Sequence, residues 1–212
     1  FVSFEGGEGS GKSTQTELLK EYLESIGKKV LLTREPGGTP LGKQLREILL
    51  DNKTGNISPR AEALLYAADR ANHVYSLIQP ALTEGQVVIT DRYLDSSVAY
   101  QGAGRILQPS EVARISRWAT ENLAPNLTIV MDIPAELGLS RLRSLDRLEA
   151  EPLAFHERIR QEFLNIAGSD PERYFVVDAT QNKENIHKQI IERILSLPQF
   201  RENSLEKKRF RK

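Results

Sequence analysis

The chain has no cysteine, which excludes disulfides, zinc–thiolate centres and thiol nucleophiles. Its three histidines, His73, His156 and His187, are scattered without the spacing of a transition-metal site or a serine triad, and read as structural or surface residues. No run of about eighteen apolar residues occurs, so no membrane span is expected. Charge of one sign is also lacking: lysine plus arginine and aspartate plus glutamate number 29 each, which argues against wrapping nucleic acid or lying on a membrane surface. No secretory leader is expected before the first strand, and a cytoplasmic setting suits the missing thiols. Asn126-Leu127-Thr128 is then a sequon without an export route. Repeats and low-complexity linkers are missing too. One domain over 1–212 is expected, ending in a basic segment over 201–212 that reads as a solvated terminus.

What is present begins at the N-terminus. The apolar stretch Phe1 to Phe4 runs into Gly6-Gly7-Glu8-Gly9-Ser10-Gly11-Lys12-Ser13, and Thr14-Gln15-Thr16-Glu17-Leu18-Leu19 follows with helical character. A strand, a glycine-rich turn and a helix in that order make a phosphate-binding loop. The glycines let backbone N–H groups approach the phosphates, Lys12 brings charge to the outer ones, and Ser13 offers a hydroxyl to Mg²⁺. A nucleoside triphosphate is the ligand such a loop takes.

Along the chain, β-rich runs alternate with helix-length segments, the pattern of a parallel sheet wrapped by helices in an α/β fold. Strands are expected at Val2 to Glu5, Lys29 to Thr33, Gln86 to Thr90, Leu127 to Asp132 and Tyr174 to Asp178. Helices are expected over Thr14 to Ile26, from Ser58-Pro59 to about Leu77, from Pro109, from Pro134, and over Leu153 to Ala167. The third strand delivers Asp91-Arg92-Tyr93 to the carboxyl edge of the sheet, where open α/β folds bind ligands. There Asp91 can hold Mg²⁺ through water and the Arg92 guanidinium can clamp a phosphate.

Four stretches carry a more specific likeness: Phe4 to Thr14; Thr33-Arg34-Glu35-Pro36-Gly37-Gly38-Thr39-Pro40; Leu64-Leu65-Tyr66-Ala67-Ala68-Asp69-Arg70; and Asp91-Arg92-Tyr93-Leu94-Asp95-Ser96-Ser97-Val98-Ala99-Tyr100-Gln101-Gly102. In this order and spacing, from Phe1 to about Ile194, the chain resembles the thymidylate kinases. The resemblance implies the fold of P-loop nucleoside monophosphate kinases, with five parallel strands, a mobile lid and a homodimer. It also implies transfer of the γ-phosphoryl group of ATP to dTMP with Mg²⁺.

Roles follow from the same likeness. Glu8 resembles the family acid that meets the acceptor 3′-hydroxyl; Arg34, Arg46 and Arg92 resemble the clamp on the acceptor phosphate, with Glu35 in the substrate set. A solvated helix-face position explains Arg46 equally well. Tyr66 and Arg70, four apart on one helix face, correspond to a ring stacked on thymine and a guanidinium reading its edge, although buried core is the default for Tyr66 alone. Ser97 and Gln101 complete base recognition, and Tyr100 sits against the sugar. Trp118 reads as core or subunit contact.

In this family a further arginine comes from the phosphate loop, directly after the acid, or from the lid. Gly9 follows Glu8 here, so the lid, about 141–152, is expected to supply it. Lid-arginine relatives usually carry about three more residues, commonly Arg-Gly-Glu, between the positions of Ser144 and Leu145. Because the chain opens on Phe1 without a methionine, an ordered-residues-only sequence is one reading of this gap. If the deletion is genuine, Arg143 and Arg147 are the substitutes. Arg141 is expected against adenine. Two other readings stay open: another nucleotide or deoxynucleoside kinase, and a nucleotide-dependent switch. The switch is disfavoured because Asp-x-x-Gly after the third strand and Asn-Lys-x-Asp are both missing.

Overall fold

The computed structural model describes residues 1–200; the basic segment over 201–212 lies outside the described residues. Five strands form one parallel sheet in the order β2-β3-β1-β4-β5: β1 Val2–Glu5, β2 Val30–Arg34, β3 Val87–Asp91, β4 Leu127–Asp132 and β5 Tyr174–Asp178. Central β1 is buried along its whole length, as expected of a strand covered on both faces. The chain passes from β1 over β3 to β2, and from β3 over β1 to β4, so the crossovers diverge beside β1. A crevice at the carboxyl ends results.

β2 and β3 each sit one residue later than the sequence reading places them, because parallel pairing continues through Arg34 opposite Asp91. The helices are α1 Lys12–Ser25, α2 Pro40–Leu50, α3 Pro59–His73, α4 Gln79–Thr83, α5 Leu94–Ser97, α6 Pro109–Ala119, α7 Ala135–Ser140, α8 Leu153–Ser169 and α9 Lys183–Leu195. Helix α1 starts two residues earlier than expected, directly on Lys12, with Gly11 before it at φ 86°. Thr39 caps α2 by accepting from the Gly42 N–H, and Ser58 caps α3 by accepting from that of Ala61.

The expected single helix to Leu77 is instead α3, a wide π turn over Val74–Ile78, and α4. Pro80 has no N–H to donate and its ring crowds the carbonyl four residues back, so the turn opens there. A second π turn, Val98–Gly104, continues α5. Under the sheet, Leu19 and Leu23 of α1 and Ile186, Ile190 and Ile194 of α9 pack on Phe4 and Ile129. Over it, Phe155, Ile159 and Phe163 of α8 pack with Val130, Tyr66 and Tyr100. Each such buried side chain contributes about 1.5–3 kcal/mol toward holding the helices on the two faces of the sheet.

Candidate active site

Register sets the site. Phe4 pairs with Asp91, so Glu5 and Arg92 leave neighbouring strands side by side, one leading into the glycine loop and the other into α5. Glu5 is fully buried and accepts from the Tyr93 N–H at 2.8 Å and the Ser96 hydroxyl at 2.6 Å, tying the two exits together. Desolvation, reinforced by the nearby Asp95 charge, pushes its carboxyl up to about 8.

The glycine loop wraps the Lys12 ammonium, whose Nζ donates to the carbonyls of Gly6 at 3.1 Å and Gly7 at 2.7 Å and to the Ser10 hydroxyl at 3.2 Å. Burial and the Arg92 charge bring its pKa down to about 8. The Ser13 hydroxyl donates to Asp91 Oδ2 at 2.7 Å, so the two sequence-predicted metal residues do meet. Their hard oxygens suit Mg²⁺, which takes few protein ligands and completes its shell with phosphate and water. Thr14 is exposed one residue on.

Gly9 has φ +63°, and a Cβ there would lie 2.0 Å from the Gly138 carbonyl oxygen; a Cβ on Gly138 would lie 2.2 Å from that of Glu8. Loop and α7 therefore touch backbone to backbone, and no arginine fits after the loop acid. Gly138→Ala is expected to push α7 off the loop and raise the KM for ATP at least tenfold, read by steady-state kinetics; an unchanged KM would show that the contact does not shape the loop.

Arg92 occupies the junction. Its backbone sits at φ 70°, a left-handed conformation uncommon for a side-chain-bearing residue, fixed by its N–H donating to the Phe4 carbonyl at 2.9 Å. Its Nη1 donates to the Gly6 carbonyl and the Ser96 hydroxyl, and its Nη2 to Glu8 Oε1 at 2.7 Å and the Tyr100 hydroxyl at 3.0 Å. The Tyr100 hydroxyl donates in turn to the same Glu8 oxygen. Burial alone would raise the Glu8 pKa; Arg92 and Lys12 outweigh it and bring the carboxyl to about 2. Glu8 is thus an ionised acceptor beside two cations.

A cleft opens from this clasp, and its walls include Glu8, Glu35, Arg46, Tyr66, Arg70, Arg92, Ser97, Tyr100 and Gln101. Ser96 and Ser97 at the end of α5 and Tyr100 and Gln101 in the π turn that continues it all line the cleft, as positions i, i+1, i+4 and i+5 of one face. Arg46 reaches it from α2, donating to the Pro36 carbonyl at 3.0 Å. Arg70 is 1% exposed and donates from Nε to Glu35 at 2.7 Å, from Nη1 to Ser97 and Ser116, and from Nη2 to the Tyr93 carbonyl. His73 bridges Glu35 and Thr33 in the same buried network, a structural role.

Arg34 does not join this cleft. As the last residue of edge strand β2 it is exposed and lines a separate groove with Ser13, Lys20 and Asp91. Arg147 is not aimed at the loop either: its Nε donates to the Leu49 carbonyl at 2.7 Å and its Nη2 to buried Glu62. Arg143 is exposed, with no ion pair among the described residues. Arg141 donates to the Gly9 carbonyl at 3.1 Å, beside the loop. The segment 141–152 covers the acceptor side, contributing Asp146, Leu148 and Glu149 to the cleft wall. All three fall in the expected lid, although the sequence does not place them on the cleft; Leu50, a further wall residue, stands four after Arg46 on one helix face, a spacing that signals it. Trp118 is 80% exposed, which removes its reading as core.

No helix among the described residues is long and apolar enough to cross a membrane. Residues 4–190 match the family model described as thymidylate kinase. A thymidylate kinase of Clavibacter michiganensis subsp. michiganensis is 54% identical over 190 residues, 88% of this chain and 90% of that protein. One from Halothermothrix orenii is 46% identical, covering 92% of this chain and 95% of its own. The crystal structure of thymidylate kinase from Ehrlichia chaffeensis superposes with a TM-score of 0.75 at 32% identity, over 91% of this chain and 96% of that one. The family match over residues 4–190, the high identity to relatives covered almost end to end and the shared fold show that this chain belongs to the thymidylate kinase family.

Proposed function

We propose the following division of labour for the reaction of this family, which the chain carries out: transfer of the γ-phosphoryl group of ATP to dTMP, giving ADP and dTDP for dTTP synthesis. The observation that carries it is the Arg92–Glu8 clasp at 2.7 Å, standing between loop and cleft. ATP lies along Gly6 to Thr14, its phosphate oxygens replacing the carbonyls that now accept from Lys12. Ser13 and Asp91 would hold Mg²⁺, which when bound would supply positive charge to the phosphates.

The dTMP phosphate meets Arg92, whose Nε–H has no partner among the described residues, and Arg46 across the cleft. Ionised Glu8 accepts the 3′-hydroxyl, and Tyr100, held on Glu8, fills the space a ribose 2′-hydroxyl would need. Thymine stacks on Tyr66, with Arg70, held by Glu35, and Ser97 and Gln101 at its edge. Bringing two anions in line asks mainly for positioning and charge compensation, with no covalent intermediate. Arg143 is the lid cation that completes the field; Arg147 holds the lid to α3; and Arg141 lies against adenine. Lid closure then excludes water.

The whole chain acts as one kinase domain in the cytoplasm, where ATP and deoxynucleotides are available. It pairs as a homodimer through α3, the π turn that follows it and α6, where Leu64, Tyr75 and Trp118 in turn are exposed. Trp118→Asp is expected to shift the protein from dimer to monomer in sedimentation at micromolar concentration. A wild-type protein that is already monomeric would contradict the dimer.

Incubation with ATP and Mg²⁺ plus dTMP, dUMP, dCMP or thymidine tests the substrate directly, with dTDP from dTMP as the dominant product. Preference for another acceptor would make this a different nucleotide kinase, and no acceptance at all would restore the switch reading.

A further inference from the structure

Glu62 lies on α3 one turn before Tyr66, wholly enclosed. Its Oε1 accepts from Gln101 Nε2 at 3.0 Å and Arg105 Nε at 3.2 Å; its Oε2 accepts from Arg105 Nη2 at 3.2 Å and from Arg147 Nη2. Burial would raise its pKa, but the hydrogen bonds of Arg105, Gln101 and Arg147 hold it below the ordinary glutamate value. An ionised carboxylate only accepts. Gln101 must therefore turn its NH₂ toward Glu62 and its carbonyl away, an orientation dictated by the network rather than by the choice between two similar atoms.

Gln101 Oε1 has no partner among the described residues and is not among the atoms sealed inside the fold, while the side chain lines the cleft beside Arg70 and Ser97. Arg70 presents the opposite character: its Nη2 gives one N–H to the Tyr93 carbonyl and keeps a second without a partner among the described residues. The cleft thus offers an acceptor next to a donor. Thymine matches with its N3–H and O4, whereas a cytosine brings a lone pair to the acceptor and an amino group to the donor.

We propose that Glu62 is a specificity-determining positioning residue: by locking the Gln101 amide, it presents a fixed acceptor that selects bases with a ring N–H over bases with a lone pair there. This rests on the reading that the dTMP base lies against Gln101. An amide at position 62 can donate or accept, so the lock is lost and Gln101 can rotate to suit either base.

The test compares kcat/KM for dTMP and for 5-methyl-dCMP, which keeps the methyl group and differs at the hydrogen-bonding edge. Glu62→Gln is expected to lower the dTMP preference at least tenfold, through KM for both nucleotides, with kcat for dTMP within a few-fold of wild type. Gln101→Leu is expected to lower it as well. An unchanged ratio in Glu62→Gln beside a collapsed ratio in Gln101→Leu overturns the proposal and leaves the base reading standing; unchanged ratios in both overturn the two together.

Should Glu62→Gln fail to fold, the wild-type protein decides. With ¹⁵N-labelled glutamine side chains, the Gln101 NH₂ signal, assigned by its loss in Gln101→Leu, is expected to be protected from solvent exchange before and after dTMP binds. Free exchange in either state overturns the proposal.

Discussion

Replacing Arg92 with alanine is expected to lower kcat/KM for dTMP on the order of 10³-fold, about 4 kcal/mol of transition-state stabilisation. Arg92 is where the two halves of the site meet: Gly6 and Glu8 on the donor loop, Ser96 and Tyr100 on the acceptor wall. Its loss removes the cation nearest the incoming phosphate and strands the Glu8 carboxylate, which Arg92 holds ionised against its burial. Lysine cannot restore this, because one ammonium does not reproduce a planar fork reaching four acceptors. Arg92→Lys is therefore expected to stay at least 10²-fold down. Measured rates within tenfold of wild type for Arg92→Ala would show that the arginine is a structural ion pair only.

Arg70→Ala is expected to fail differently. The sequence likeness makes Arg70 a base reader whose loss weakens acceptor use, but the structure makes it the hub of a buried network as well. Four of its N–H groups are engaged, and its partner Glu35 is also enclosed. Removing it leaves a buried carboxylate whose remaining side-chain partner is His73, at a cost of about 3–5 kcal/mol in urea unfolding. Adding Glu35→Gln to Arg70→Ala is expected to recover part of that loss, since the stranded charge is then gone. A raised KM for dTMP with unchanged stability would contradict the hub and leave only base reading.

The difference between Arg70 and Arg92 illustrates what a linear sequence discloses. Glycine spacing, the β-branched runs Val87 to Thr90 and Leu127 to Val130, and the Asp91-Arg92 pair are local features, so the parallel sheet and both ends of the site are legible in them. Ion-pair choices are not local. Arg147 lies in the lid segment, but its guanidinium finds Glu62 85 residues away and is turned from the phosphate loop. In the sequence Arg46 is the weaker candidate of the two, yet Arg34 ends an edge strand facing another groove, whereas Arg46 stands a helical turn before Leu50 on the cleft.

Trp118 follows the same logic. Aromatic residues at helical spacing with Val112 and Ile115 suggest core, but α6 turns Val112 and Ser116 inward and leaves the indole outside. The widened turn at Val98–Gly104 has no proline to announce it. It is visible only in the backbone, although the one-turn spacing that puts Tyr100 and Gln101 on the wall with Ser96 and Ser97 is legible in the sequence.

A crystal structure with dTMP and a non-hydrolysable ATP analogue measures the arrangement directly. The acceptor phosphate should lie within hydrogen-bond distance of Arg92, with thymine against Tyr66 and the analogue's terminal phosphate on Lys12, in line with the acceptor. A nucleotide bound outside the Tyr66–Arg92 cleft, or an Arg92 still clasped to Glu8 with no phosphate contact, would contradict the shared site on which every role assigned here depends.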